Sequence, residues 1–448
     1  MDFVRIICLI SCIPLVYPLK KLVRKQDINI WDLLLIFSTL MFAIIPFISK
    51  SESFLYYRFE YISENEITLK VFIYLMSFFS LVLIIDRKWT TQRGDEDDNI
   101  INISLYIRHY QPIYVSKIFY VIILAILIIS IFWYIPQKSI IVQLESNYGM
   151  TYAESSALMI FAPIYSFAYA LCAFIMFQNI SKKNALIIIY TITFFLLSLF
   201  LNRRTMLMHL IFIFLIIYSI NIETFTYKKV FSYTLPFLFF VYIYFTFYNV
   251  VRYNKIHFNT NSPIESTINI VKDGLENWDS KKEEESSSTE SRSLGLYVTL
   301  YKLVKYDPTP SYGELTLKSI DFALPSFINP NKGSGIQDEL IIRCRENKDV
   351  SDSILFDSYG ELHMGGFIFA LLYYWLFFKF NIFVSKLFLR HSEGSLVGVY
   401  MLFCFFTVVW NVEVDMPNLI SMTIHEIPIL IILWILFKQR ILYQESYD

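Results

Sequence analysis

The sequence predicts an all-α polytopic integral membrane protein with about eleven transmembrane helices and one large polar loop. Hydrophobic residues make up 56% of the 448 residues and charged residues only 17%. An average soluble domain is about 45–50% hydrophobic and about 25% charged. Apolar runs long enough to cross a bilayer recur along the chain. The formal net charge is −1, so the charge balance does not indicate a nucleic-acid partner.

The apolar runs divide the chain into three regions. An N-terminal transmembrane bundle of about eight helices covers 1–250, an external loop covers 251–363, and about three further helices cover 364–448. The predicted spans are 3–19, 31–49, 69–85, 118–135, 157–177, 185–201, 206–220, 230–250, 364–380, 396–412 and 426–441.

The first apolar run is interpreted as a retained helix and not as a signal peptide. No small-x-small cleavage site follows it, and Lys20, Lys21, Arg24 and Lys25 come directly after it. Basic residues recur in the connections after odd-numbered spans and are sparser after even-numbered ones. The positive-inside rule therefore predicts an external N-terminus, a cytoplasmic C-terminus and an external 251–363 loop.

The external loop contains three predicted amphipathic helices and a low-complexity linker at 281–290. A capping box at Ser262–Glu265 opens the first helix, which is expected to lie against the membrane or the bundle. A second candidate capping box, Ser311–Glu314, opens the third. The apolar faces are formed by Ile264, Ile268, Val271, Leu275 and Trp278, then by Leu294, Tyr297, Val298, Tyr301 and Val304, and then by Leu317, Ile320 and Leu324.

Arginines occupy positions where the predicted topology has few basic residues. Asn202-Arg203-Arg204-Thr205 joins the sixth and seventh spans on the predicted outer face. The pair either snorkels at an interface, marks a miscounted span, or binds phosphate, whose oxygens match the planar guanidinium fork. Arg252 follows the eighth span and is either a snorkelling residue or a second phosphate contact. Arg292 is either a surface charge or a further contact.

The external loop ends in the polar run Asp357-Ser-Tyr-Gly-Glu-Leu-His363, directly before an apolar run. Glu361 is either a general base or a carboxylate that favours the dipole of the following helix. His363 is either a base or an interfacial histidine, and the two side chains share a face only on a strand. The second-rank candidates on the same predicted face are Glu413, Asp415, His425 and Glu426. No ligand-spaced pattern predicts a metal site.

These residue types together favour group transfer from a lipid diphosphate. Arginines at the membrane surface neutralise the charge of a diphosphate leaving group without a metal. The attack of a hydroxyl acceptor is faster when a positioned Glu or His accepts its proton as general base. No metal and no other cofactor are therefore expected.

The order of the polar elements resembles the Wzy-type O-antigen or capsular oligosaccharide repeat-unit polymerases. The resemblance covers residues 200–380 and rests on Asn202-Arg-Arg204, Asn249-Val-Val-Arg252, Ser291-Arg-Ser293, Leu324-Pro-Ser-Phe327 and Asp357-Ser-Tyr-Gly-Glu361 followed by Gly365-Gly366. The chain departs from the family in two places. Asn202 replaces the usual glycine before the paired arginines, and His363-Met-Gly replaces the frequent Asn-Phe-Gly.

The resemblance implies a fold similar to the C-type glycosyltransferases and a bacterial inner (cytoplasmic) membrane, with the active site on the periplasmic face. It implies polymerisation of undecaprenyl-diphosphate-linked repeat units at the reducing end, independent of metal. Arg203, Arg204 and Arg252 would hold the diphosphate, Arg292 would assist, and Glu361 or else His363 would accept the proton of the acceptor hydroxyl. The bilayer and a polysaccharide chain-length regulator are the expected partners.

Two other functions remain as alternatives. An O-antigen ligase, which transfers the glycan to a lipid A core sugar, shares the fold class and the large external loop. A lipid-linked oligosaccharide flippase or other transporter usually has internal repeats and charges inside its spans. This sequence shows no internal repeat, and most of its charges lie at helix ends or in the loop.

Overall fold

The computed structural model describes residues 2–24, 28–48, 64–91, 114–115, 117–129, 295–306, 309–324, 353–389 and 442–443, with isolated positions at 168, 272, 416–417 and 419–420. Strand β1 (Tyr114–Val115) pairs antiparallel with β2 (Leu442–Tyr443), and the other elements within these ranges are helical. The helices are α1 (Asp2–Ser11), α2 (Val16–Val23), α3 (Ile30–Thr39), α4 (Ile45–Ile48), α5 (Asn65–Thr91), α6 (Lys117–Ile129), α7 (295–306), α8 (Glu314–Ala323), α9 (Ile354–Leu362) and α10 (Gly366–Leu389).

Four helical stretches in the described part of the chain are long and apolar enough to cross a membrane. They are Phe3–Val23, Ile30–Ile48, Asn65–Arg87 and Ile354–Phe380. They confirm apolar helices at the predicted spans 3–19, 31–49, 69–85 and 364–380, and α6 covers much of the predicted span 118–135. The other predicted spans lie outside the described residues, so the total of about eleven stays a prediction.

A buried ion cluster joins the first three of these stretches at one end. The Lys21 ammonium donates to both carboxylate oxygens of Asp32, at 2.9 and 2.7 Å, and to Asp86 Oδ2 at 2.7 Å. The Asn29 side-chain amide donates to the other oxygen of Asp86. These four residues are at most 6% exposed. The topology prediction used Lys21 as a basic marker of a connection, but the structure places it inside the bundle, where only such partners offset the cost of burying charge.

The local sequence starts α3 directly beside this ion cluster. The Asp32 backbone N–H donates to Asn29 Oδ1 at 2.9 Å, and the Asn29 backbone N–H donates to Asp32 Oδ2 at 3.0 Å. This reciprocal capping box satisfies donors that would otherwise be unpaired at a helix start. The same two residues therefore begin α3 and bind it to its neighbours.

Aromatic side chains fill the space between α3, α5 and α10. Trp31 meets Phe378 edge-to-face with ring centroids 4.9 Å apart. Tyr74 meets Phe367 at 6.3 Å and Phe78 meets Tyr374 at 6.2 Å. Contacts of this kind add to the free energy of burying the rings. Because these contacts recur from Phe367 to Phe378, α10 packs beside α3 and α5 along much of its length.

The chain bends sharply between α9 and α10, at the 3₁₀ turn His363–Gly365. A straight helix would separate residues 358 and 366 by about 12 Å, yet a Cβ on Gly366 would lie 1.9 Å from the Ser358 carbonyl oxygen. The start of α10 therefore contacts the middle of α9, and only glycine fits at this contact. His363 has a φ of 49° at this turn, which is strained for a residue with a side chain. The sequence predicted a helix only from 364, whereas helical structure already begins at Ile354.

Removing the shared cation of the ion cluster is expected to destabilise the protein strongly. Lys21→Met leaves Asp32 and Asp86 buried without their main donor, which costs about 3–5 kcal/mol. Lys70→Met is the matched control, because among the described residues Lys70 pairs with exposed Glu66 and such a pair contributes about 0–1 kcal/mol. Unfolding by SDS titration in detergent micelles measures both. Equal losses for the two variants would contradict the structural importance of the cluster.

Adding one methyl group at Gly366 is expected to separate α9 from α10. Gly366→Ala places a Cβ against the Ser358 backbone, and overpacking of this kind costs about 1–3 kcal/mol or more. Gly365→Ala is the neighbouring control, since its nearest atom would be Leu362 Cβ at 3.7 Å, an ordinary contact. Thermal unfolding should rank the Gly366 variant well below the Gly365 variant, and the reverse order would refute the close approach.

Candidate functional site

Helix α9 carries two carboxylates on one of its sides. Ser353 begins the helix, and its Oγ accepts the Leu355 backbone N–H at 3.3 Å. Asp357 and Glu361 are four residues apart, so on a helix they share a side. Both side chains are fully buried. The helical backbone thus groups Glu361 with Asp357, while His363 lies beyond the helix end.

Glu361 caps a helix that is remote in sequence. Its Oε1 accepts the Thr316 backbone N–H and the Thr316 Oγ1 hydroxyl, both at 2.6 Å. Its other oxygen accepts the Gly313 backbone N–H. Gly313 and Thr316 stand at the start of α8, where backbone N–H groups lack helical partners and the helix dipole favours negative charge. The side chain of Glu361 therefore binds α8 to α9.

Two backbone hydrogen bonds extend this attachment. The Ser311 N–H donates to the Gly360 carbonyl at 2.9 Å, and the Tyr312 N–H donates to the Glu361 carbonyl at 3.1 Å. Gly313 has a φ of 99°, a left-handed conformation that glycine adopts without strain. The turn before α8 is thus fitted to the C-terminal end of α9.

The predicted capping box at Ser311–Glu314 is wrong. Gly313 is the N-cap of α8 and provides no side-chain cap, because Glu361 from α9 supplies the acceptor. The predicted apolar face is also not the one that packs inside. Leu317 and Ile320 are exposed, and the buried positions are Leu315, Ser319 and Ala323. A cap from another helix has no local sequence signature, so the pattern around Ser311 could not reveal it.

A hydroxyl pair extends the Glu361 contact to α10. Thr316 Oγ1 and the Tyr373 hydroxyl are 2.5 Å apart. Because Thr316 Oγ1 also donates to Glu361, the three groups form a chain of hydrogen bonds from α9 through α8 to α10. Such a chain fixes the relative positions of the three helices.

Asp357 makes an equivalent contact with a fourth segment. Its Oδ2 accepts the Met416 backbone N–H at 2.8 Å, and 416–417 are helical. Met416 lies in the connection between the predicted tenth and eleventh spans, which also carries the second-rank candidates Glu413 and Asp415. The contact places Met416 beside the carboxylates of α9, whereas the side chains of Glu413 and Asp415 lie outside the described residues.

His363 lies at the rim of this buried group. Its ring stacks on Tyr359, with centroids 5.4 Å apart and planes 19° apart, and it is only partly buried. Tyr359 in turn contacts Tyr74 of α5 edge-to-face at 5.3 Å. Of the two predicted acid–base candidates, His363 is the more exposed residue, although its Nε2 atom is buried. The oxygens of Glu361 already accept hydrogen bonds from α8.

Helix α7 joins the same end of the bundle. The sequence predicted an amphipathic helix here, and the helix is present, but its side chains are buried nearly all round. Lys305 forms an ion pair with Glu64 at 2.9 Å, and the hydrogen bond to that carboxylate raises the pKa of Lys305 above its ordinary value. Tyr301 accepts the Glu64 backbone N–H at 3.3 Å. The loop therefore contributes α7 to the core as well as α8 to the site.

The predicted diphosphate-binding residues Arg203, Arg204 and Arg252, and the assisting Arg292, lie outside the described residues. Their placement relative to Glu361 and His363 stays a prediction. Thr316, Tyr373 and Met416 were missed by the sequence analysis because nothing in their local sequence marks a contact with α9. In the described ranges, no three His, Cys, Asp or Glu side chains lie close enough together to hold a metal ion.

Comparisons with known proteins identify no relative. No protein-family model, no curated protein and no solved structure matches the chain.

Loss of the Glu361 charge is expected to release the start of α8. Glu361→Gln replaces one acceptor oxygen by a donor that faces N–H groups, and a hydrogen bond to a charged group contributes about 1.5–3 kcal/mol. Amide hydrogen exchange at Gly313 and Thr316 should then quicken at least about tenfold. Glu314→Gln is the control, because Glu314 is exposed and its ion-pair partner within the described part of the chain is Lys318. Unchanged exchange in the Glu361 variant would refute the capping role.

Proposed function

We propose that this protein polymerises undecaprenyl-diphosphate-linked oligosaccharide repeat units into O-antigen or capsular polysaccharide. The observation that carries the proposal is the ordered set of polar elements in the sequence. Paired arginines come first, then Arg252, then a loop with Arg292, and finally the Asp357–Glu361 element. The described structure supports it by one feature. The end of that loop forms an organised junction of several helices and is not a free connection.

The proposed reaction is a glycosyl transfer at the reducing end of the growing glycan. The acceptor hydroxyl of a new lipid-linked unit attacks the anomeric carbon of the donor glycan. A carbon–oxygen bond forms there as the bond to the diphosphate oxygen breaks. Undecaprenyl diphosphate leaves with the bonding electrons, and the hydroxyl proton passes to a base on the protein. Arg203, Arg204 and Arg252 neutralise the charge that develops on the leaving group, and Arg292 assists.

The acceptor base is assigned to His363 or Glu361, and their surroundings favour different roles. A general base must come within hydrogen-bond reach of the proton it removes. The Glu361 oxygens are occupied by Gly313 and Thr316, so Glu361 suits the positioning of α8 over the substrate. His363 is partly exposed at the rim, although its Nε2 atom is buried, and this proposal gives it the proton transfer. No metal or other cofactor takes part in this scheme.

In the proposed setting the protein lies in the bacterial inner membrane with this junction on the periplasmic face. The four long apolar helices are compatible with a membrane location. A chain-length regulator is the proposed protein partner. An O-antigen ligase remains the alternative enzyme, and the product distinguishes the two: a ligase makes no polymer from lipid-linked units. A flippase mutant would instead accumulate single units on the cytoplasmic side.

Loss of the arginines should abolish polymer formation. Arg204→Ala and Arg252→Ala are each expected to lower the rate about 10²–10³-fold, the usual effect of removing one group that stabilises developing charge. Purified protein in lipid nanodiscs, given lipid-linked repeat units and no added metal, is assayed for a polymer ladder by gel electrophoresis. Arg390→Ala, at the predicted opposite face, is the control. Normal polymerisation by both arginine variants would refute the diphosphate assignment.

The two acid–base candidates should differ in how they lower the rate. His363→Ala removes a base that contributes about 10²–10⁴-fold. Glu361→Gln should lower activity and also loosen the start of α8, because the residue acts by holding that helix. The polymer assay, read together with amide hydrogen exchange at Thr316, measures both effects. A Glu361 variant that loses activity with unchanged exchange at Thr316 would reverse the two roles.

A further inference from the structure

Helix α8 exposes large apolar side chains on one side. Leu317 is 68% exposed and Ile320 is 42% exposed, and Tyr312, just before the helix, is 77% exposed. Leu317 and Ile320 are three residues apart, so they lie together on the helix surface. Isolated exposed apolar residues are common, but an adjacent group on one helix indicates a surface that meets something apolar.

The remaining surface of α8 divides into a charged side and a packed side. Glu314 and Lys318 form an ion pair at 2.8 Å with both side chains substantially exposed, and Asp321 is also exposed. The packed side consists of Leu315, Ser319 and Ala323, all buried. A helix with separate apolar and charged exposed sides is suited to the boundary between lipid and water.

The attachments of α8 fix its position beside an apolar helix. Glu361 holds its first turn to α9, and Thr316 contacts Tyr373 of α10. Helix α10 (Gly366–Leu389) contributes the longer part of the Ile354–Phe380 stretch, which is apolar enough to cross a membrane. On α10 the exposed side next to Tyr373 consists of Ile368, Leu372 and Leu376, which are 43–55% exposed. Thr316 borders the apolar side of α8, so the two apolar surfaces adjoin.

We propose that α8 lies in the plane of the membrane interface and inserts Leu317 and Ile320 into the lipid of the bilayer. Glu314, Lys318 and Asp321 then face water. Tyr312 sits at the boundary, where tyrosine places its ring in the apolar layer and its hydroxyl in the wet one. The occupant of the exposed apolar side is bilayer lipid. This proposal is independent of the polymerase assignment.

Photocrosslinking tests the lipid contact directly. The full chain is prepared with p-benzoylphenylalanine in place of Leu317, Ile320, Lys318 or Asp321, one position at a time. Each variant is reconstituted into nanodiscs of phosphatidylethanolamine and phosphatidylglycerol, irradiated, and analysed by mass spectrometry. All four positions are at least partly exposed, so the label leaves the packed side of α8 intact.

Lipid adducts are expected at positions 317 and 320 in severalfold higher yield than at 318 and 321. Equal yields on both sides would overturn the proposal, because α8 would then lie wholly in water or wholly in lipid. Adducts at 317 and 320 that join two peptides of the protein would also overturn it, since another part of the chain or a second copy would then cover this side. An absence of adducts at 317 and 320 would place them in water.

Discussion

The close approach of Gly366 to the Ser358 carbonyl determines how the described part of the molecule is arranged. It turns one apolar stretch of sequence into two packed helices, so α9 ends within the bundle. The polar side of α9 is thereby buried. Asp357 and Glu361 must find donors there, because an unpartnered buried carboxylate is very costly. The donors come from segments remote in sequence, and this requirement brings α8 and Met416 to the end of α9.

Both carboxylates of α9 accept backbone N–H groups from segments that are remote in sequence. Glu361 accepts backbone N–H groups at the start of α8, and Asp357 accepts the Met416 backbone N–H. This solution satisfies charge with peptide dipoles, which stay in place whatever the pH. It also has a consequence for the proposed reaction. If Glu361 accepts the proton from the substrate, substrate binding and α8 docking compete for the same oxygens.

The sequence allowed the apolar helices to be predicted because length and composition determine them locally. The spans at 3–19 and 69–85 appear as helices with extended ends, the span at 31–49 appears as Ile30–Ile48, and α7 and α8 appear in the loop. The site was predicted less well because its contacts are tertiary. Glu361 was recognised as important, but its partners lie more than forty residues away. Lys21 was taken as a topology marker because burial cannot be read from a basic residue near a span end.

The Lys21 cluster also has a consequence for the order in which the chain assembles in a membrane. Lys21 and Asp32 belong to consecutive helices, so their pairing is available as soon as the first helical hairpin has formed. Asp86 lies at the far end of α5 and arrives only when that helix is complete. We therefore expect the hairpin to insert with its cation already neutralised, and the third helix to complete the cluster with a second carboxylate. Early insertion of a pair avoids exposing a lone ammonium to lipid.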